Sequence, residues 1–411
     1  MCQKDKVYMT SRERVLASLD HVKPDRIPID LGGSICTSIN VMAYQELKRH
    51  LGCHDTRSRV SNIVLFVPEV SEEVRQHLHV DVVALDRLEA APGVYNSGVW
   101  KEHALPNGEM AFFPEGFEPV IREDGTWELY HEGIKKGRLS PHSGSFVPTH
   151  FPLAGATMKE LEGYDFSPIS GVELEQLAMK AKALHEGTDY AIFGWLGGSV
   201  FEATHYLLGF DEAMYRLAGD VPFMVRLFER LTEQAVKNVE LYTEAVGAYI
   251  HVIGFYDDFG IQTGPMISPV LFRELIKPHL KRIYGRVHAL SDARVFLHSC
   301  GSVYEFMEDL VEVGVDILNP VQTSAAHMQP EALKEAFGDR IVFWGGGCDV
   351  QRVLPLGSVE EVRRDVKSRI ETLGRNGGFV FAPIHNILSG VPPENVAAMY
   401  DEASSPLNGT E

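Results

Sequence analysis

Eight short apolar runs recur along this chain, and amphipathic segments of helical period separate most of them. The runs are RIPIDLG (26–32), VDVVAL (80–85), DYAIFGWL (189–196), AYIHVIGF (248–255), ARVFLHS (293–299), VDILNP (315–320), RIVFWGG (340–346) and GFVFAP (378–383). Each is rich in β-branched or aromatic residues and bounded by Gly, Pro or charge. A strand reads this way when both of its faces are covered, as in a parallel sheet flanked by helices. Eight such strands alternating with helices predict an α/β fold of the (β/α)8 TIM-barrel type, as a single domain over 1–411. A doubly wound sheet is the alternative. Its dinucleotide-binding version is disfavoured, because no Gly-x-Gly-x-x-Gly opens a helix after the first strand.

The helices carry their own punctuation. Thr10 and Glu13 stand in capping-box spacing, with Val15, Leu16 and Leu19 on one face. Ser358 and Glu361 repeat the box. Val359, Val362, Val366, Ile370 and Leu373 follow as an apolar stripe that ends at Gly374. Ser268 and Pro269 begin a third helix, which Pro278 should kink. Residues 86–150 break the rhythm: rich in Gly, aromatics and turn pairs such as Asn107–Gly108 and Asp124–Gly125, they predict β hairpins inserted after the second strand.

A net charge of −19 with no Lys/Arg-rich run argues against a nucleic-acid partner. No run reaches the roughly 18 apolar residues of a membrane span. The five cysteines (Cys2, Cys36, Cys53, Cys300 and Cys348) are odd in number and not spaced as a disulfide framework. The first residues lack the apolar core of a signal peptide, so the expected location is cytoplasmic, with reduced thiols.

In a barrel, chemistry sits at the carboxyl ends of the strands. There the sequence offers Cys36 after the first strand, Glu202 and His205 after the third, and Asp257 and Asp258 after the fourth. The fifth ends in His298 and Cys300, the sixth in Asn319, the seventh in Cys348, and the eighth in His385 and Asn386. His298 and Cys300 are two apart on a strand, so both point to one side. With Cys348, carried by the Gly345–Gly346–Gly347 turn, they would make a His/Cys/Cys zinc set with an open fourth position. Packing is the competing reading of these thiols. Cys36 is either a fourth ligand or a small buried thiol, and Cys53 is structural or surface. Asp257 and Asp258 read equally as ligands or substrate anchors and as loop caps. His385 reads as a functional group or a loop anchor, and Glu202 as a first-turn helix acid. There is no Gly-x-Ser-x-Gly elbow and no P-loop.

Five blocks, TSRERVLASLDHVKPDRIPID, DDFGIQTGPMISPVLFRELIKPHLKRI, VFLHSCGSVYEFMEDLVEVGVDILNPVQ, WGGGCDVQRVLPLGSVEEV and FAPIHNILSGVPPENVAAMYDEA, resemble the uroporphyrinogen decarboxylase superfamily in sequence and order. The resemblance spans nearly the whole chain outside 86–150 and implies a (β/α)8 barrel. The decarboxylases themselves carry an arginine-rich motif after the first strand; here that place reads GGSICTSINVMAY, without arginine. Asp81 is the residue that could match their catalytic aspartate. The corrinoid-dependent methyltransferase branch, of the methylcobamide:coenzyme M type, carries His-x-Cys…Cys as zinc ligands, and His298, Cys300 and Cys348 match them. That resemblance implies Zn2+, a methylcobalamin or corrinoid methyl donor, a separate corrinoid protein as partner, and a thiol or similar small-molecule acceptor. Asp257, Asp258, Glu202, Asn319 and His385 would then contact or orient substrate. A carboxy-lyase acting on a smaller substrate and a non-catalytic corrinoid-binding module are the alternatives. Related barrels occur as dimers, and a homodimer stays open.

Overall fold

The computed structural model describes residues 8–141 and 143–406; Cys2 lies outside them. Seven parallel strands form one sheet in chain order: β1 (Val82–Leu85), β2 (Ala191–Trp195), β3 (Val252–Tyr256), β4 (Arg294–His298), β5 (Ile317–Asn319), β6 (Val342–Trp344) and β7 (Phe379–Val380). All seven lie inside sequence-predicted runs or within one residue of them. The eighth run, 26–32, is reduced to a single parallel bridge between Ile29 and Phe381. Pro28 has no N–H to give a ladder. Even so, the segment joins both edges of the sheet. Asp30 N–H donates to the Phe381 carbonyl (2.8 Å) on the β7 side, and Asp81 N–H donates to the Ile29 carbonyl (2.7 Å) on the β1 side. The sheet therefore curls into a barrel-like wall.

Alternation along the strands divides the wall into two apolar layers. Val82, Phe193, Trp195, Val252, Phe296, Ile317, Val342, Trp344 and Val380 form the inner cluster. Val83, Ile192, Ile253, Val295, Leu297, Leu318, Phe343 and Phe379 face the helices. Inside, Phe193, Phe296 and Trp344 pack mutually edge-on, with centroids 4.8–5.7 Å apart. Such pairs contribute roughly 0.5–1.5 kcal/mol each beyond burial. Both faces of each strand are dry, which explains the unbroken apolar runs.

Both capping boxes form, at helices Ser11–Leu19 and Val359–Leu373. On the first helix Val15 and Leu19 are buried, but Leu16 is exposed, so the stripe is narrower than its spacing suggested. The Pro278 helix begins as Pro269–Leu271, widens into a π-turn at Phe272–Ile276 and continues as Lys277–Leu290. The wide turn absorbs the hydrogen bond that proline cannot make.

Residues 89–148 form antiparallel hairpins with a separate core that includes Phe113, Phe117, Trp127 and Phe146. The sequence reading missed one member of this unit. Val60–Asn62 pairs with Val67–Pro68, and Arg59 bridges Phe112, so the hairpins pack on the loop after helix Val41–His50. No helix among the described residues is long and apolar enough to cross a membrane.

Candidate metal centre at the barrel mouth

On β4 the inner parity runs from Phe296 to His298, and strand geometry carries it on to Cys300. His298 is buried. Its Nδ1 lies 2.5 Å from Oδ1 of Asn319, which is the last residue of the neighbouring strand β5 and pairs with it in register. The Asn319 amide is oriented by its other end, where Nδ2 donates to the Trp344 carbonyl at 2.8 Å. Asn319 Oδ1 must then accept, so His298 Nδ1 carries a proton, and in the neutral ring the lone pair falls on Nε2. Asn319, expected to touch substrate, is instead fully buried behind the imidazole.

His298 Nε2 lies 3.3 Å from the Cys300 Sγ. A third donor joins them: ligand atoms of His298, Cys300 and His385 all lie within 4.8 Å of one another. His385 stands in the loop after β7, its ring centroid 5.4 Å from that of His298. The anchor of that loop is its neighbour. Asn386 accepts from Ser38 N–H (2.7 Å) and donates to the Ile35 carbonyl (2.8 Å), leaving the His385 ring to the mouth. Burial, then the adjacent His298, pushes the His385 pKa down to about 4, so the ring is a neutral donor.

Cys348 is not part of this group among the described residues, which corrects the His/Cys/Cys set. Gly345 and Gly346 adopt φ of +90° and +85°. That turn breaks strand parity and sends Cys348 outward into the layer between sheet and helices. Its thiol is fully buried, and burial, then the charge of Asp365 on helix Val359–Leu373, raises its pKa. Cys348 packs in the core between sheet and helices.

An acidic wall stands behind Cys300. Asp258 Oδ1 accepts from Cys300 N–H at 2.7 Å, and Glu202 Oε2 accepts from Asp258 N–H at 3.1 Å. Asp257 is buried and accepts from the backbone N–H groups of Val200, Phe201 and Glu202 at 2.6–3.1 Å. These bonds fix the loop that begins at Val200. Burial raises the Glu202 pKa to about 8, with the Asp258 and Asp257 charges adding to it. Burial also raises the Cys300 and Cys36 thiols, with Asp258 the next cause for both. Cys36 is buried in the inner cluster and stands outside the metal group. His205 lies between Phe201 and Phe210, its Nε2 without a partner.

Asp81 does not stand at the mouth. It precedes β1, at the amino end of the barrel, and is held by Arg14 (2.7 Å) and Arg26 (2.6 Å) and by Ile29 N–H. The carboxylate at the carboxyl end of β1 is Asp86, which the sequence reading passed over. Its signal was its place as the first charged residue after the apolar run VVAL. Asp86 lines a cavity of about 290 Å³ with Ile35, Trp195, Gly197 and Tyr256. Its Oδ1 is buried without a partner, and burial raises its pKa to about 6. Trp195 and Tyr256 stack nearly parallel at 6.0 Å on this cavity.

Comparison with known proteins agrees with this architecture. The family profile described as uroporphyrinogen decarboxylase (URO-D) matches residues 147–405, more than half of the chain. Uroporphyrinogen decarboxylases from two Thermus thermophilus strains are 26% identical over 179 residues and 25% identical over 178. Each match covers 43% of this chain and 47% of the relative, so the chain spans about half the length of the curated relatives it matches. A solved methyltransferase from Methanosarcina mazei superposes with a TM-score of 0.60 at 19% identity, covering 96% of this chain and 98% of that one. That likeness is one of fold.

Proposed function

Because the chain belongs to the uroporphyrinogen decarboxylase (URO-D) family, we propose that it works there as a zinc-dependent methyltransferase, moving a methyl group between a methylcorrinoid and a thiol or similar small acceptor. The observation that supports this most is the His298–Cys300–His385 group, with the His298 tautomer held by Asn319. Two imidazoles and one thiol, backed by an amide that orients a ring, fit Zn2+ in chemistry and number and leave a coordination position open. When bound, zinc supplies a Lewis acid that lowers the pKa of an acceptor thiol into the neutral range.

The chain's own residues do the rest. The neutral His385 presents a lone pair without first losing a proton, and the Asn319 contact leaves Nε2 of His298 as the nitrogen free to ligate. Cys300 carries a proton in the metal-free protein, because burial and Asp258 hold its pKa up; that proton leaves when a cation takes its place. Asp258 fixes the Cys300 backbone, and Glu202 fixes Asp258. The Trp195–Tyr256 stack gives an aromatic flank to the cavity that Asp86 lines. A separate corrinoid protein is the proposed partner. The expected setting is a reducing, cytoplasmic one, where Cys300 stays a thiol.

The test is zinc content by mass spectrometry for the parent chain, His298→Ala and Cys300→Ser, followed by methylcobalamin demethylation with a panel of thiols. Zinc lost from both variants together with thiol-dependent turnover supports the reading. Cobalamin binding without turnover would leave a corrinoid-binding module. A folded, metal-free chain that is active on a carboxylated substrate would favour a carboxy-lyase. That second reading rests on Asp86, a buried carboxyl with an unpartnered oxygen at the cavity wall.

A further inference from the structure

A second donor cluster lies at the opposite end of the barrel. Helix Val41–His50 starts in the loop beyond the carboxyl end of the first segment and runs back toward the amino ends of the strands. Gly52, with φ +71°, turns the chain there, and Cys53 N–H donates to the Lys48 carbonyl at 2.9 Å. Helix Glu72–His77 leads into β1 from its amino end. Glu73 and His77 are four residues apart and share one face of that helix. The two helices are tied together: Ser71 N–H donates to Tyr44 Oη at 2.7 Å, and the Tyr44 hydroxyl donates to Ser71 Oγ at 3.2 Å. As a result the Cys53 thiol, a Glu73 carboxylate oxygen and a His77 ring nitrogen all lie within 4.8 Å of one another.

We propose that Cys53, Glu73 and His77 form a second divalent-cation site, selective for zinc-like ions, that clamps the turn after helix Val41–His50 to helix Glu72–His77. One thiolate, one carboxylate and one imidazole suit a borderline-soft ion better than Mg2+ or Ca2+, and three protein donors leave a position for water. Access is present. Cys53 is buried, Glu73 half-buried and His77 exposed, and His77 lines a cavity of about 390 Å³ with His50, His79, Glu394 and Asp401. Burial, then the Glu73 charge, holds the Cys53 thiol pKa up. Binding breaks the S–H bond, forms the sulfur–metal bond and releases one proton. The nearby Lys48 ammonium donates to the Arg57 carbonyl at 3.0 Å, and Asp55 offsets its charge. None of these residues belongs to the mouth, so the site stands or falls independently of the methyl-transfer reading.

The test is a Co2+ titration of the folded Cys300→Ala chain, in which the mouth thiolate is gone. The expected result is one Co2+ held with a thiolate-to-cobalt absorption band, and a melting temperature raised by the ion. His77→Ala, a change at an exposed position, should weaken that binding by more than about tenfold, while His79→Ala in the same cavity should leave it unchanged. The absence of a thiolate band from the folded Cys300→Ala chain would overturn the site. So would a band that survives Cys53→Ser or is indifferent to His77→Ala.

Discussion

Asn319 Oδ1 sits 2.5 Å from Nδ1 of His298, at the ends of two adjacent, in-register strands, while the same amide donates to the Trp344 carbonyl on the next strand. One buried side chain thus links three strands and decides which imidazole nitrogen faces the mouth. Asn319→Ala leaves the ring free to choose its tautomer. Zinc affinity measured against a competing chelator should fall roughly 10–100-fold. The chain should also lose about 1–3 kcal/mol of stability, since the Trp344 carbonyl and His298 Nδ1 are left unpaired. Unchanged affinity would remove Asn319 from the positioning of the ligand.

The outward turn of Cys348 separates two ligand sets. His385→Ala should lose zinc and keep its fold, because Asn386 anchors the loop. Cys348→Ala should retain zinc and lose about 1 kcal/mol of stability, from the small cavity left at a fully buried position. Metal analysis of the two purified variants, side by side, checks the assignment. Zinc lost from Cys348→Ala alone would reinstate the His/Cys/Cys set.

Glu202 predicts how the metal-free protein responds to pH. Its folded pKa, about 8, lies above the ordinary glutamate value, so the folded state binds the extra proton between the two. Its contribution to stability is complete below the unfolded pKa and is lost as pH rises toward and through 8. Asp257, raised to about 7, acts in the same direction over a lower window. Melting temperatures of the metal-free chain should therefore decline from pH 5 to 9, and Glu202→Gln should flatten the upper part of that decline. Parallel curves for the two proteins would refute the assignment.

Asp81 and Asp86, five residues apart, should respond in opposite ways. Asp81→Asn breaks ion pairs to two arginines at the amino end and should cost about 3–5 kcal/mol in chemical denaturation, with zinc content unchanged. Asp86→Asn removes a carboxylate whose raised pKa marks its charge as unfavourable, so at pH 8 the variant should be at least as stable as the parent. Zinc-dependent methyl transfer should survive Asp86→Asn, whereas a lyase that uses this carboxyl would not.

Local periodicity carried most of the architecture. Seven of the eight apolar runs are strands because a strand covered on both sides must be apolar on both faces, and that is readable residue by residue. The shared side of His298 and Cys300 was legible for the same reason, since alternation along a strand is local geometry. The capping boxes at Thr10 and Ser358 are local as well, each closed within four residues. The reduction of the first strand to one bridge followed from Pro28, a signal that was present in the sequence.

The third donor of the mouth was a different kind of fact. Cys348 and His385 both follow inner strands, and spacing alone favoured the thiol. The decision lay in two left-handed glycines that reverse parity after β6, and in hydrogen bonds from Asn386 to a loop some 350 residues earlier in the chain. The positions of Asn319, Asp81 and Asp86 were set in the same way, by which end of which neighbouring strand each one meets. Strand identity and side-chain parity depend on a few consecutive residues, so the sequence by itself determined them. Which side chains converge depends on backbone turns and cross-strand register, set by packing between segments far apart in the chain, and only the tertiary structure decided that.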